Sequence, residues 1–284
     1  MQDIKETKEH NYDERLEKIE INLLLEGIYQ HYGYDFRNYV YPTIRRRTWQ
    51  RIRAENLSTI SGLLERILHN KRVMKLLMQD YCISVTEMFR DAGFFLAIRK
   101  KLLPLLKNRA ALRIWHAGCA TGEEVFSMAI LLFEEGLLEK TFIYATDINE
   151  DMLQKAKLGI FPLAKMQVFT SNYIKAGGVR AFSDYYKVSG KNAVFEPFLI
   201  KNALFSQHNL ATDHSFHEFD VIICRNVLIY FNQYLQRQVL KLFHESLSIH
   251  GVLCLGNKET IHSTDLASCY DELDKKEKLY RRII

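Results

Sequence analysis

The chain has 284 residues, a formal net charge of +5 and a hydrophobic fraction of 48%, values typical of one large globular domain or two smaller ones. No apolar run approaches the roughly 20 residues that cross a bilayer, and the charged beginning lacks the apolar stretch of a signal peptide. The five scattered cysteines contain no CxxC pair, which argues against a disulfide framework and against a zinc site. We therefore expect a cytoplasmic protein without membrane insertion and without a metal.

The first part of the chain reads as helices. Apolar residues recur at three- and four-residue spacing in the segments INLLLEGIYQHYG, TIRRRTWQRIRAEN and TISGLLERILHNKRVMKLLMQDY. This periodicity predicts an all-α N-terminal domain over residues 1–82, followed by a linker and connecting helix over 83–107.

The second of these helices is unusually basic. Ile44, Thr48 and Ile52 lie one turn apart and form a narrow apolar stripe, while arginines cover the other faces. The arginines are Arg45, Arg46, Arg47, Arg51 and Arg53. A solvated surface explains such a helix, and clustered arginines can also follow the phosphates of nucleic acid. Nucleic acid is disfavoured, because no recognition-helix or single-strand motif accompanies the arginines.

From Leu112 onward, short apolar runs alternate with amphipathic segments. LRIWHAG, TFIYATD, FDVIICRN and GVLCLGN read as buried strands, and helical patterns lie between them. This alternation predicts an α/β domain over 108–284 with a mostly parallel sheet. The stretch 161–204 breaks the rhythm and reads as a small antiparallel β insertion.

The loop after the first of these strands has the features of a ligand site. Gly118 and Gly122 lie on a strand-to-helix turn, where an open α/β sheet binds its ligand. Glu123 and Glu124 then begin the helix, at the place where a dinucleotide would put its pyrophosphate. Two carboxylates disfavour a pyrophosphate and favour a cation such as S-adenosylmethionine, although acids in a first helical turn also complement the helix dipole.

An acid at the end of the second strand supports the same site. Asp147 stands where nucleotide-binding sheets use an acid to accept the ribose hydroxyls. It could instead cap the helix that follows. With the glycine loop, it favours a nucleotide-like ligand, with S-adenosylmethionine ahead of NAD.

The residues quoted so far resemble one family, the chemotaxis receptor glutamate methyltransferases of the CheR type. The resemblance runs from about Leu23 to the C-terminus. Its motifs are VTEMFRD (85–91), GCATGEEVFS (118–127), ATDIN (145–149), HNL (208–210) and DVIICRNVLIYF (220–231). It implies a Rossmann-like methyltransferase sheet with a small antiparallel β-subdomain insertion, joined to an all-α N-terminal domain.

The resemblance also implies individual roles. It makes Arg90 and Tyr230 the candidate catalytic residues, which would orient the incoming carboxylate. Glu124 would meet the amino acid end of the cofactor and Asp147 its ribose. The implied cofactor-binding residues are Ser84, Thr86, Arg90, Gly118, Glu124, Asp147, Asn209, Leu210, Arg225 and Asn226. Ser84 stands where the family often has asparagine, and the Asn257-Lys258-Glu259 string, where the family has His-Ser-Glu, receives no role.

The activity implied is methyl transfer from S-adenosylmethionine to glutamate side chains of chemoreceptor cytoplasmic helices, with S-adenosylhomocysteine as product. The arginine helix would dock the receptor, and we expect a monomer. The segment KVSGKNAVFEP is short and holds only Gly190, so we expect no binding of a C-terminal receptor peptide. The alternatives are a methyltransferase acting on another protein or a small molecule, and a non-catalytic sensor that keeps the cofactor pocket.

Overall fold

The computed structural model describes residues 13–82 and 86–284, so Ser84 lies outside the described residues. The chain divides into two compact units, Met1–Tyr81 and Cys82–Ile284. Among the described residues, no helix combines the length and apolar character that a membrane span requires.

The first unit is built of helices. They are α1 (Glu14–Tyr32), α2 (Tyr41–Ala54), α3 (Ile60–His69) and α4 (Lys71–Tyr81). The side chain of Asp13 caps the start of α1, and Gly33, with φ of +78°, ends it in the left-handed conformation that glycine adopts without strain. The last predicted helix is two helices, because Asn70 is extended between α3 and α4.

The second unit contains a seven-stranded sheet. Its strands are β1 (Leu112–Ala117), β2 (Thr141–Asp147), β6 (Ala203–Gln207), β7 (Phe219–Cys224), β8 (Leu247–Leu255), β9 (Tyr270–Asp274) and β10 (Leu279–Arg282). Their order is β6-β2-β1-β7-β8-β10-β9, and only the pairings of β10 are antiparallel. The mostly parallel sheet confirms the predicted α/β class, and β9 and β10 are additions that the sequence pattern did not predict.

Helices accompany this sheet, and the alternating pattern predicted those that lie between its strands outside the insertion. They are α5 (Ala92–Ala97), α6 (Leu103–Leu106), α7 (Glu123–Glu134), α8 (Glu150–Leu158), α9 (Met166–Lys175) and α10 (Gln233–Ser246), with π-helical residues Ile98–Leu102 between α5 and α6. The side chain of Asn149 accepts a hydrogen bond from the Asp151 N–H at the start of α8. Gly159, with φ of +60°, ends that helix.

The predicted insertion contains a second sheet. Its strands are β3 (Ile160–Pro162), β4 (Tyr186–Ser189) and β5 (Asn192–Phe195), in the order β3-β5-β4 and all antiparallel. The small antiparallel sheet is therefore confirmed. The segment also contains α9, which the sequence reading missed, and its last residues begin β6 of the large sheet.

Candidate functional site

Four adjacent parallel strands end at one edge of the large sheet. β1 ends at Ala117, β2 at Asp147, β6 at Gln207 and β7 at Cys224. The carboxyl ends of parallel strands lie at the same edge, which is where open α/β sheets bind ligands. The structure thus brings together the loops that carry most of the predicted cofactor-binding residues.

The loop after β1 is folded against the end of β2. The Gly118 N–H donates to the Thr146 carbonyl at 2.8 Å, and the Ala120 N–H donates to Asp147 Oδ2 at 2.9 Å. Gly118 has φ of +83°, and a Cβ there would lie 2.6 Å from a methyl group of Val227. This position therefore requires glycine, both for its backbone conformation and for the close approach of the next loop.

Asp147 retains acceptor capacity at the strand ends. One carboxylate oxygen accepts the Ala120 N–H and the other accepts the Asn149 N–H, each at 2.9 Å. Burial raises the pKa of Asp147, and these hydrogen bonds oppose that shift. The backbone N–H of Ile148 also hydrogen-bonds this carboxylate, so about one of its roughly four acceptor sites remains for a ribose hydroxyl. The side-chain cap of α8 is provided by Asn149 rather than by Asp147.

The two acids at the start of α7 have different surroundings. Glu123 is almost fully buried, accepts a hydrogen bond from the Thr121 hydroxyl at 2.5 Å, and lies 3.5 Å from Lys165 Nζ. Burial raises its pKa. The sequence pattern predicts Glu123 and Glu124 as one pair of carboxylates at the ligand, but the contacts of Glu123 are with Thr121 and Lys165.

Glu124 has basic partners on both carboxylate oxygens. His116 Nδ1 lies 3.0 Å from Oε1, and Arg225 Nη1 lies 3.3 Å from Oε2. Burial opposes ionisation of Glu124, but the hydrogen bonds and charges of His116 and Arg225 outweigh it and lower its pKa. Glu124 is therefore an ionised carboxylate next to the strand ends, a suitable partner for an ammonium or sulfonium group.

Arg225 connects β7 to the segment before α5. Its Nη2 lies 2.6 Å from Asp91 Oδ2, and its Nη1 donates to the Arg90 carbonyl at 3.3 Å. The guanidinium carbon also lies 3.9 Å from the centre of the Phe94 ring. The Arg225 side chain, which bonds to Glu124 as well, is almost fully buried. Asp91 is a residue that the sequence reading missed, although it directly follows Arg90 in the quoted motif.

The backbone around Arg90 is held in an unfavourable conformation. Phe89 and Asp91 have φ of +52° and +56°, a region that costs a bulky residue free energy. The Phe89 N–H donates to Ser127 Oγ at 2.8 Å, and its ring packs edge-on against Tyr173. These contacts fix the direction in which the chain presents Arg90, whose side chain is half-buried.

The remaining predicted cofactor-binding residues lie in loops. Asn209 and Leu210 follow β6, and both are partly buried. The Asn209 side-chain oxygen accepts the Ala211 N–H at 3.0 Å, and its own N–H donates to Asp213 at 2.9 Å, so Asn209 also shapes its turn. Thr86 is partly buried in an irregular segment.

The turn after β7 holds the predicted catalytic tyrosine. Asn226 has φ of +60°, and the half-buried Tyr230 ends a short 3₁₀ turn in which its N–H donates to the Val227 carbonyl at 3.1 Å. The carboxylate of Glu259 accepts the Asn226 N–H at 3.1 Å. The sequence reading gave Glu259 no role; its only signal was the match with the glutamate of the family's His-Ser-Glu string.

Cys119 lies in the loop after β1, but its thiol is not prepared to act as a nucleophile. It is buried, and burial raises the pKa of Cys119 well above its ordinary value, so the thiol stays protonated at neutral pH. Within residues 13–82 and 86–284, no group of three or more His, Cys, Asp or Glu side chains could hold a metal ion.

Two arginines of α2 form ion pairs within the helical unit. Arg45 Nε lies 2.7 Å from Glu17, a residue that is itself buried. Arg51 lies 2.6 Å from Asp80 and 3.4 Å from Glu55, and only 12% of its side chain is exposed. Both arginines therefore stabilise the packing of α2, a use that the docking prediction did not anticipate.

The other arginines of α2 are more accessible. Arg46 and Arg53 are exposed and seven residues apart, so they lie on one face of the helix with the exposed Gln50 between them. No ion pair of either is found in the described part of the chain. Arg47 is half-buried and donates to Gln50 at 3.3 Å.

Two family models match the chain. The model of the CheR methyltransferase all-alpha domain covers residues 19–80, and the model of the CheR methyltransferase SAM-binding domain covers residues 84–274. The second match alone spans most of the chain and includes every residue discussed at the strand ends.

Individual relatives agree with these models. Cher3 of Pseudomonas putida, to which a methyltransferase activity is so far only attributed, is 47% identical over 97% of this chain and 99% of its own. The chemotaxis protein methyltransferase of Listeria monocytogenes is 29% identical over 81% of this chain and 85% of its own. The chemotaxis protein methyltransferase of Salmonella typhimurium is 27% identical over 82% of this chain and 80% of its own.

Proposed function

The chain belongs to the CheR family of S-adenosylmethionine-dependent methyltransferases, and we propose that it methylates glutamate side chains of chemoreceptor cytoplasmic domains. The observation that supports this acceptor is that relatives named chemotaxis protein methyltransferase match about four fifths of this chain. The relative from Listeria monocytogenes matches 81% of it. The product on the receptor would be a glutamate methyl ester, formed in the cytoplasm.

The strand ends have the donors and acceptors that the cofactor needs. Asp147 would accept from the ribose with the acceptor site that its backbone hydrogen bonds leave, and Glu124, ionised beside Arg225, would bind the ammonium group. Asn209 and Leu210 would flank the adenine. Further contacts are proposed for Ser84, Thr86, Arg90, Gly118, Arg225 and Asn226.

The chemistry demands positioning more than acid–base catalysis. When bound, S-adenosylmethionine supplies a methyl group on a positively charged sulfur. A glutamate acceptor is ionised at neutral pH, so no general base has to remove a proton. Arg90, with a planar fork of donors, and the Tyr230 hydroxyl would hold the carboxylate in line with that methyl group. The strained backbone on both sides of Arg90 supports this role, because such strain is maintained where direction matters.

The receptor contact is proposed for the exposed face of α2. Arg46 and Arg53 carry charge that no ion pair among the described residues neutralises, so they can attract the acidic surface of a receptor helix. In the insertion, β4 and β5 are joined by residues 190–191 alone. So short a turn supports an enzyme that does not grip a C-terminal receptor peptide. We also propose that it acts as a monomer.

Incubation with methyl-labelled S-adenosylmethionine and a purified receptor cytoplasmic fragment tests the proposal. We expect label on the fragment that alkali releases as volatile methanol, the mark of a carboxyl methyl ester. Alkali-stable label, or label on another protein or small molecule, would point to a methyltransferase with a different acceptor. Cofactor binding without any transfer would point to a sensor.

A further inference from the structure

Glu259 is a buried carboxylate just after β8, and its hydrogen-bond donors among the described residues are all backbone N–H groups. It is 5% exposed. Oε2 accepts from Gly256 at 2.6 Å and Asn226 at 3.1 Å, and Oε1 accepts from Leu228 at 2.8 Å and Val227 at 2.9 Å. No basic side chain pairs with Glu259 among the described residues.

This arrangement requires both oxygens. A carboxylate oxygen has about two acceptor sites, so the four N–H donors saturate the group. Burial raises the pKa of Glu259, and the four hydrogen bonds oppose that shift. A glutamine of the same shape offers one oxygen for two of the donors, and its own NH₂ group would face the other two N–H groups. The site is thus built for an anion, and an isosteric amide does not replace it.

Most of the backbone N–H groups that donate to Glu259 belong to one turn. Asn226, Val227 and Leu228 are consecutive, and they are the first residues after Arg225 at the end of β7. Successive backbone N–H groups that converge on one anion form a concave nest that binds the anion. The Asn226 backbone is left-handed, with φ of +60°, a conformation that asparagine adopts more readily than most residues, and the bond from its N–H to Glu259 holds it there.

The close approach of the two loops is also specific. A Cβ at position 256 would lie 2.7 Å from Glu259 Oε2 and 2.9 Å from the Asn226 nitrogen. Only glycine therefore lets the β8 loop bring its carboxylate against the turn after β7.

We propose that Glu259 is a positioning residue, whose carboxylate sets the turn after β7 and thereby the placement of Arg225 and Tyr230 at the cofactor site. This inference rests on the roles proposed above for those two residues. A purely structural Glu259 would change stability and leave cofactor affinity and turnover unchanged in the folded protein.

The test compares Glu259→Gln with wild type and with Glu134→Gln. Glu134 is a buried carboxylate in α7 that accepts from Tyr173, Tyr185 and Arg99, away from the strand ends. For Glu259→Gln we expect S-adenosylhomocysteine, measured by calorimetry on folded protein, to bind at least about tenfold more weakly, with a fall in kcat. Glu134→Gln should lower the Tm and keep the wild-type affinity.

Wild-type affinity and kcat in folded Glu259→Gln would overturn the proposal, whatever its Tm. If that variant does not fold, Gly256→Ala provides the second measurement, because its methyl group pushes the carboxylate from the turn. It should weaken S-adenosylhomocysteine binding in the same direction, and unchanged binding would overturn the proposal. Because this readout needs no acceptor, a wild-type protein that binds S-adenosylhomocysteine but does not methylate receptors would contradict only the proposed function.

Discussion

Replacing His116 tests whether Glu124 must be held in place to bind the cofactor. His116 is fully buried in β1, and its Nδ1 lies 3.0 Å from the Glu124 carboxylate. Because an ionised carboxylate only accepts, Nδ1 carries the hydrogen of this bond. A hydrogen bond to a charged group contributes about 1.5–3 kcal/mol. Since Arg225 remains bound to Glu124 in the variant, we take the lower end, about 1.5 kcal/mol, which corresponds to roughly tenfold weaker binding.

The assay is calorimetric titration of His116→Leu with S-adenosylhomocysteine. Leucine fills a similar volume but donates no hydrogen bond. Asparagine is the matched control, because its amide nitrogen can stand near the position of Nδ1, so His116→Asn should bind within about threefold of wild type. Glu124→Gln should lose more than either. Wild-type affinity in a correctly folded His116→Leu would refute the reasoning.

Three further predictions concern other parts of the molecule. Arg90→Ala should lose most of its turnover on receptor fragments while its Tm stays near that of wild type; wild-type rates would remove Arg90 from the catalytic residues. Arg46→Glu should raise the KM for receptor fragments, most strongly at low salt, and leave S-adenosylhomocysteine affinity unchanged; a wild-type KM for Arg46→Glu at low salt would contradict docking on that face. Arg51→Ala should instead lower the Tm, because it loses a partly buried ion pair. Burial raises the pKa of Glu134, but hydrogen bonds from neighbouring side chains, Arg99 among them, outweigh burial, so the pKa of Glu134 in the folded protein lies below the ordinary glutamate pKa. The ionised carboxylate therefore stabilises the fold at pH values above the ordinary glutamate pKa. This stabilisation is lost as the pH falls through the lower pKa of the folded state. Urea unfolding should accordingly show a smaller loss of stability below about pH 4.5 in Glu134→Gln than in wild type, and parallel curves would refute the assignment.

Most of the fold could be predicted from local sequence patterns. Buried parallel strands are continuous apolar runs, so β2 could be read at Thr141–Asp147, as the structure has it. The N-cap at Asn149 and the end at Gly159 are likewise local signals. The strands β9 and β10 were missed because they pair antiparallel and contain many polar and charged residues, so they lack the continuous apolar run of a buried parallel strand.

The candidate site was less accessible to sequence reasoning. Glycine loops and strand-end acids have recognisable positions, but the partners of a charged side chain depend on distant parts of the chain. Arg225 meets Asp91, which is 134 residues away, and Glu259 meets Val227 across 32 residues. Nothing in local spacing distinguishes Arg46, which has no ion pair within residues 13–82 and 86–284, from Arg51, whose partner Asp80 lies on another helix.

Mapping the methylated residues by mass spectrometry tests the central claim most directly. A receptor cytoplasmic fragment is treated with the enzyme and S-adenosylmethionine, digested, and compared with the same fragment in which the modified glutamates are replaced by alanine. The proposal predicts a mass increase of one methylene on specific glutamate side chains of the first fragment, removed by alkali, and none on the second. Methylation of both fragments alike, or of residues other than glutamate, would contradict it.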